Sequence, residues 1–128
     1  MAERGHSVGA VYRGGTGQWS WALHRITGVG VIFFLFVHVA DTALVALGPE
    51  IYDRVIVSYR NPVVKSFEIG LAAMVLFHAL NGLRIIAVDM FPKLADHQRA
   101  LFGMVVGLYL TLFVPALYFM GRSLLKEL

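Results

Sequence analysis

Residues 26–40 read ITGVGVIFFLFVHVA. The run holds no Asp, Glu, Lys or Arg, and its one ionisable side chain is His38. Extended to residues 19–47, it is long enough to cross a hydrocarbon layer of about 30 Å, which takes roughly 20 helical residues. Trp19 and Trp21 mark one end, where amphipathic rings settle at headgroup depth. Gly48-Pro49 stops the helix at the other. A second such run covers residues 62–90, opening on Pro62, which suits a helix start, and closing at Phe91-Pro92. A third covers residues 100–121 and carries no charged side chain. Pro115 within it predicts a kink, which membrane helices tolerate.

Composition agrees with three spans. Of the 128 residues 58% are hydrophobic and 15% charged, against about half and a quarter in ordinary soluble domains. Mean hydropathy is +0.70. A disordered chain lacks this apolar content. Three spans of about 20 residues consume nearly half the length, which excludes a self-sufficient soluble enzyme. The expected fold is an all-α membrane protein of three transmembrane helices. Residues 1–18 are read as a flexible polar arm and residues 19–128 as the membrane domain.

The glycines of the arm, Gly14, Gly15 and Gly17, lack the Lys-Ser/Thr of a phosphate loop and no strand precedes them. A short interfacial helix can form within residues 50–61, and residues 93–99 are expected as a short polar loop. The first apolar run starts late and is too long for a signal sequence, so no cleavable leader is expected.

The net charge of +3 comes from scattered basic residues, which favours anionic lipid over nucleic acid as the partner. With three spans the termini lie on opposite sides. Counting basic residues gives six on the N-terminal side and five on the other, which leaves orientation undecided. No cysteine is present, so disulfides, iron–sulfur ligation and covalent c-type haem attachment are excluded within this chain.

Ionisable groups inside a span cost roughly 2.5–3.5 kcal/mol each on insertion scales and so call for a reason. His78 lies mid-span, with Leu71, Met74, Gly82, Ile85 and Asp89 near its helical face. Gly82 removes a side chain one turn on and leaves room for something flat. Two readings stay open for His78: a haem iron ligand, or an imidazole hydrogen-bonded between closely packed helices. His38 has Asp41 and Thr42 at i+3 and i+4 as partners for its ring. His38 lies about 26 Å of helix rise past Trp21, and His78 about 16 Å before Asp89. If Trp21 and Asp89 share an interface, the two histidines sit at different depths. His24 and Arg25 open the first helix. Arg25 either snorkels to the interface or lines a pocket for a quinone carbonyl or haem propionates. Asp89 is read as forming an ion pair with Lys93 or with a partner subunit, and His6 and His97 as carrying no function.

The stretch Ser20-Trp21-Ala22-Leu23-His24-Arg25-Ile26-Thr27-Gly28 resembles the first-helix signature of the cytochrome b556 subunit of succinate dehydrogenase, the larger membrane anchor of complex II. His78-Ala79-Leu80-Asn81-Gly82-Leu83-Arg84, with Asp89 eleven residues after the histidine, is similar to the family's second-helix motif. The two motifs fall on the expected helices, and the resemblance covers essentially the whole span region.

The resemblance implies a bundle formed with a companion anchor subunit, which supplies the second axial ligand of a haem b held by His78. It implies quinone contacts from His24 and Arg25, which also lie near the haem propionates. It implies a cytoplasmic N-terminus in a bacterial-type membrane, where an iron–sulfur subunit docks and passes on electrons from succinate through a flavoprotein subunit. One position departs. The family's quinone-contact Ser falls three residues before the His, where this chain has Trp21. Ser20 is adjacent and turned by about 100°, which leaves Trp21 to pack on a quinone ring. His38 is a candidate ligand for a second haem, against a packing role paired with Asp41. Lacking cysteine and any flavin motif, the chain is not expected to oxidise succinate itself. A haem-free anchor and the anchor of a fumarate reductase remain as alternatives, with a channel or transporter further off.

Overall fold

The computed structural model describes residues 15–126. α1 spans Thr16–Ala43 and runs into a 3-10 helix, Leu44–Leu47. α2, Pro49–Ser58, is the short helix allowed between the first two spans. α3 spans Pro62–Met90, a 3-10 helix covers Pro92–His97, and α4 spans Gln98–Leu125. α1, α3 and α4 are long and apolar enough to cross a membrane.

Local chemistry sets the boundaries. Gly48 adopts φ +114°, a conformation costly for residues with a Cβ, and Pro49 then starts α2 at a preset φ. Asn61 caps α3, its side chain accepting from the Val63 amide at 2.8 Å, with Pro62 in the first turn. Three boundaries differ from expectation. α1 starts at Thr16, so the last residues of the expected arm are helical; the rest of the arm lies outside the described residues. The expected polar loop at 93–99 is a 3-10 helix followed at once by α4, because Pro92 again presets the turn. α4 continues through Pro115 to Leu125, and its last turn is tied to α3 by Lys65 Nζ donating to Ser123 Oγ at 3.0 Å.

α3 lies between α1 and α4 and packs on both. Two glycines of α1 admit α3 closely. A Cβ at Gly30 would lie 2.6 Å from Met74 Sδ, and one at Gly28 would lie 3.2 Å from His78 Cε1. Phe77 meets Tyr109 of α4 edge to face, centroids 6.1 Å apart. The burial pattern is the reverse of a soluble domain. Phe33, Phe36, Ile32 and Leu110 are exposed, while the buried residues among those described are Ser20, Thr27, Asn81, Arg84 and Val105. Apolar surface facing outward and polar groups satisfied within is what a lipid solvent demands. The chain is an integral membrane protein.

Candidate functional site

α1 carries Ser20, His24 and Thr27 at i, i+4 and i+7, which places them on one face. α3 carries His78, Asn81 and Arg84 at i, i+3 and i+6, and packs that stripe against them. Gln98, at the start of α4, closes the cluster. The N-terminal end of α1, the C-terminal end of α3 and the start of α4 thus share one end of the bundle.

His24 and His78 stack, with ring centroids 4.0 Å apart and planes inclined by 11°. His78 Nδ1 lies 3.1 Å from the backbone oxygen of His24 and 3.3 Å from Thr27 Oγ1. A carbonyl oxygen only accepts, so the proton sits on Nδ1 and the bare lone pair of the neutral ring is on Nε2. Thr27 Oγ1 itself lies within bonding distance of the backbone oxygens of Leu23 and His24, at 2.8 and 3.0 Å. The hydroxyl is thereby pinned beside the imidazole.

One turn nearer the helix ends is a polar knot. Asn81 is wholly buried, and its Nδ2 donates to the backbone oxygen of Ser20 at 3.3 Å. Arg84 Nη1 donates to Ser20 Oγ and to Asn81 Oδ1, each at 3.0 Å. Arg84 Nη2 donates to Gln98 Oε1. Ser20 Oγ donates to the Gly17 carbonyl at 3.0 Å. Three helices are joined through one guanidinium, which is 9% exposed. Two buried nitrogens, His24 Nδ1 and Arg84 Nε, have no hydrogen-bond partner among the described residues.

Two cavities flank this cluster. One, about 340 Å³, is lined by Ser20, Trp21, His24, Arg84, Asp89 and Gln98, among others. The other, about 510 Å³, is lined by His24, His78 and Gly82 with the apolar side chains of Leu83, Ile85 and Ile86. Trp21 and Asp89 do share an end of the bundle.

The sequence-derived candidates separate into three groups. Ser20, Trp21 and His24 meet at the 340 Å³ cavity, and His78 stands beside them. Arg25 does not line that cavity; it is exposed, its guanidinium 4.7 Å from the Trp21 ring centroid. His38 is elsewhere, since it follows His24 by fourteen residues, about 21 Å of helix rise. Its expected partners are engaged otherwise. Asp41 accepts from the Tyr59 hydroxyl, and Thr42 Oγ1 donates to the backbone oxygen of His38 at 2.6 Å. The His38 ring stacks on Phe34 instead, at 5.3 Å. Phe34 thus stands where Asp41 was expected as the partner of the His38 ring.

Sequence reasoning expected room beside His78 at Gly82, and both residues line the 510 Å³ cavity, but it did not foresee Gly28 against the ring. Gly28 faces that ring; a Cβ at Gly82 would meet His24 Cε1 at 3.5 Å, an ordinary contact. It missed Thr27, Asn81 and Gln98, and it left Arg84 as an interfacial cation. The available signal was a polar pair at i, i+3 in an otherwise apolar span.

The sequence model of the succinate dehydrogenase/fumarate reductase transmembrane subunit family matches residues 8–117. The chain belongs to this family. It is 45% identical over 106 residues to the succinate dehydrogenase 2 membrane subunit SdhC of Mycobacterium tuberculosis, covering 83% of this chain and 78% of that one. It is 29% identical over 91 residues to a succinate dehydrogenase hydrophobic membrane anchor subunit of Halobacterium salinarum, covering 70% of each. The two helix motifs and the buried cluster they form are thus features of a succinate dehydrogenase membrane anchor subunit.

Proposed function

We propose that the chain binds haem b through His78 and forms part of the quinone-reduction site of a succinate:quinone oxidoreductase. The observation that carries this reading is the docking of His78. Its Nδ1–H is held by the His24 carbonyl and Thr27, which fixes the ring and leaves Nε2 as the donor atom, the arrangement of a histidine metal ligand. The residues fit the group. Nε2 of His78 would supply one bond to the haem iron, and the 510 Å³ cavity beside His78 has mostly apolar walls. Among the described residues no three His, Cys, Asp or Glu side chains converge on a metal. The remaining ligands must come from a porphyrin and from a companion anchor subunit. When bound, the haem stores and passes on one electron at a potential set by axial ligation and burial.

The quinone head is assigned to the 340 Å³ cavity. Two electrons and two protons are needed for its reduction, and negative charge develops on its carbonyl oxygens. His24 can hold and deliver a proton through its unpartnered Nδ1. Trp21 offers a ring for stacking, and the exposed Arg25 beside it is assigned to the seam with the companion subunit, where its guanidinium can reach a quinone carbonyl or a propionate. Ser20 has its hydroxyl proton on the Gly17 carbonyl, so its part in quinone binding is through Arg84 rather than by direct donation. In this reading the end carrying Ser20 and Gln98 faces the cytoplasm and the iron–sulfur subunit, which is fed from succinate through a flavoprotein.

The test is haem quantification and succinate-driven quinone reduction on the detergent-purified complex. One b-type haem per anchor chain with quinone turnover is expected. A complex that reduces quinone without haem would overturn the haem assignment and leave the quinone site standing.

A further inference from the structure

Arg84 is a permanent cation buried where its three hydrogen-bond partners, Ser20, Asn81 and Gln98, are all neutral. Neutral acceptors hold a guanidinium in place without cancelling its charge. A guanidinium has five N–H donors. Three are placed; the N–H of Nε and one N–H of Nη2 have no acceptor among the described residues. Phe102 lies over the group, its ring centroid 5.7 Å from Cζ. Asp89 lines the same 340 Å³ cavity but makes no ion pair with Arg84. The cavity therefore has a fixed positive charge in its wall, positioned from three helices. Arg25, by contrast, is exposed and absent from that lining.

We infer that Arg84 is a cation this cavity presents to an acceptor oxygen of its ligand, in addition to Arg25 at the seam, and that Ser20, Asn81 and Gln98 are the residues that position it. This rests on the cavity being a ligand site, as proposed above. The shared chemistry is an electron-rich oxygen, supplied either by a quinone carbonyl or by a haem propionate carboxylate. For a quinone, the charge favours the reduced side of the reaction because it is aimed where negative charge develops. For a propionate, it compensates the carboxylate and holds it in place.

Two variants of the assembled complex separate this role from a merely structural tie. Arg84→Lys keeps a charge but loses the planar fork and the Nε donor. Gln98→Glu keeps the Nη2 hydrogen bond and cancels the charge, so a structural role would be retained or strengthened. For each variant, succinate-to-dye turnover reports assembly of the catalytic subunits. KM and kcat for a short-chain quinone, haem content and haem midpoint potential report the ligand.

If the oxygen belongs to the quinone, both variants raise KM or lower kcat by roughly ten- to a hundredfold, the value of a hydrogen bond to a charged group, with haem unchanged. If it belongs to a propionate, haem content falls or the midpoint potential shifts to more negative values, with quinone KM unchanged. Wild-type values of all four quantities in an assembled Gln98→Glu complex would overturn the proposal, even if Arg84→Lys fails to assemble. Absence of both haem and quinone turnover in the wild type would overturn the underlying reading and this one together.

Discussion

The two ends of the bundle carry similar residues and use them differently. Each has a histidine from α1, charged side chains and a cavity. At the His24 end the polar groups are buried, bonded across three helices, and leave two nitrogens without partners. At the His38 end the histidine is exposed, stacked on its own helix, and lines a cavity of about 290 Å³ with Asp41, Tyr59 and Glu68. The Tyr59 hydroxyl donates to Asp41 there, and at the same end Lys65 Nζ donates to Ser123 Oγ between α3 and α4. In the proposed reading the buried, incompletely satisfied end takes the ligand and the other end packs.

If this contrast is right, substitutions at the two ends should differ in cost. Asn81→Leu should have the largest effect, because it removes the donor to the Ser20 carbonyl and leaves Arg84 Nη1 with Ser20 Oγ as its one acceptor, in a buried site. A loss of about 1–3 kcal/mol is expected, read as a lower Tm of the purified complex. Gly28→Ala should come next. The added methyl meets His78 Cε1 at 3.2 Å, so the ring must shift. Overpacking of this kind costs about 1–3 kcal/mol, and a changed haem optical band should accompany it. An unchanged spectrum would separate the ring's position from the haem.

Tyr59→Phe should be the mildest, within about 1 kcal/mol, since it removes one partly exposed hydrogen bond. The Tyr59 phenol is pushed up to about 12 from 10.0, first by its hydrogen bond to Asp41 and then by burial. A raised phenol stabilises the fold below pH 10.0, its unfolded value, and that contribution disappears as pH rises through about 12. A phenolate absorbance titration should show a late-titrating component near 12 that Tyr59→Phe removes. Its absence from the wild type would sever α2 from α1 in this account.

The spans were legible because uncharged apolar runs such as residues 100–121 have one stable form in lipid. Their ends were less so. The turn at Gly48 was marked by its Gly-Pro pair, but the helical start at Thr16 has no side-chain cap to announce it. Ser20, Trp21, His24 and His78 could be named from motif and burial cost. Which of them meet could not, because that depends on the rotation of α1 against α3. That rotation brings Gly28 of the facing helix against His78, turns Arg25 outward and draws Arg84 in. The wheel of one helix carries no information about its neighbour's phase. Gln98 was out of reach for the same reason, since its role arises only when α4 closes on α3.

The most direct test of the central claim sets the two histidines side by side. Reduced-minus-oxidised optical spectra, with haem quantified per anchor chain, would be recorded for the purified complex as wild type, His78→Ala and His38→Ala. The account predicts that the b-type haem is lost from His78→Ala and kept in His38→Ala. Haem retained at full stoichiometry in His78→Ala, or lost only from His38→Ala, would contradict it.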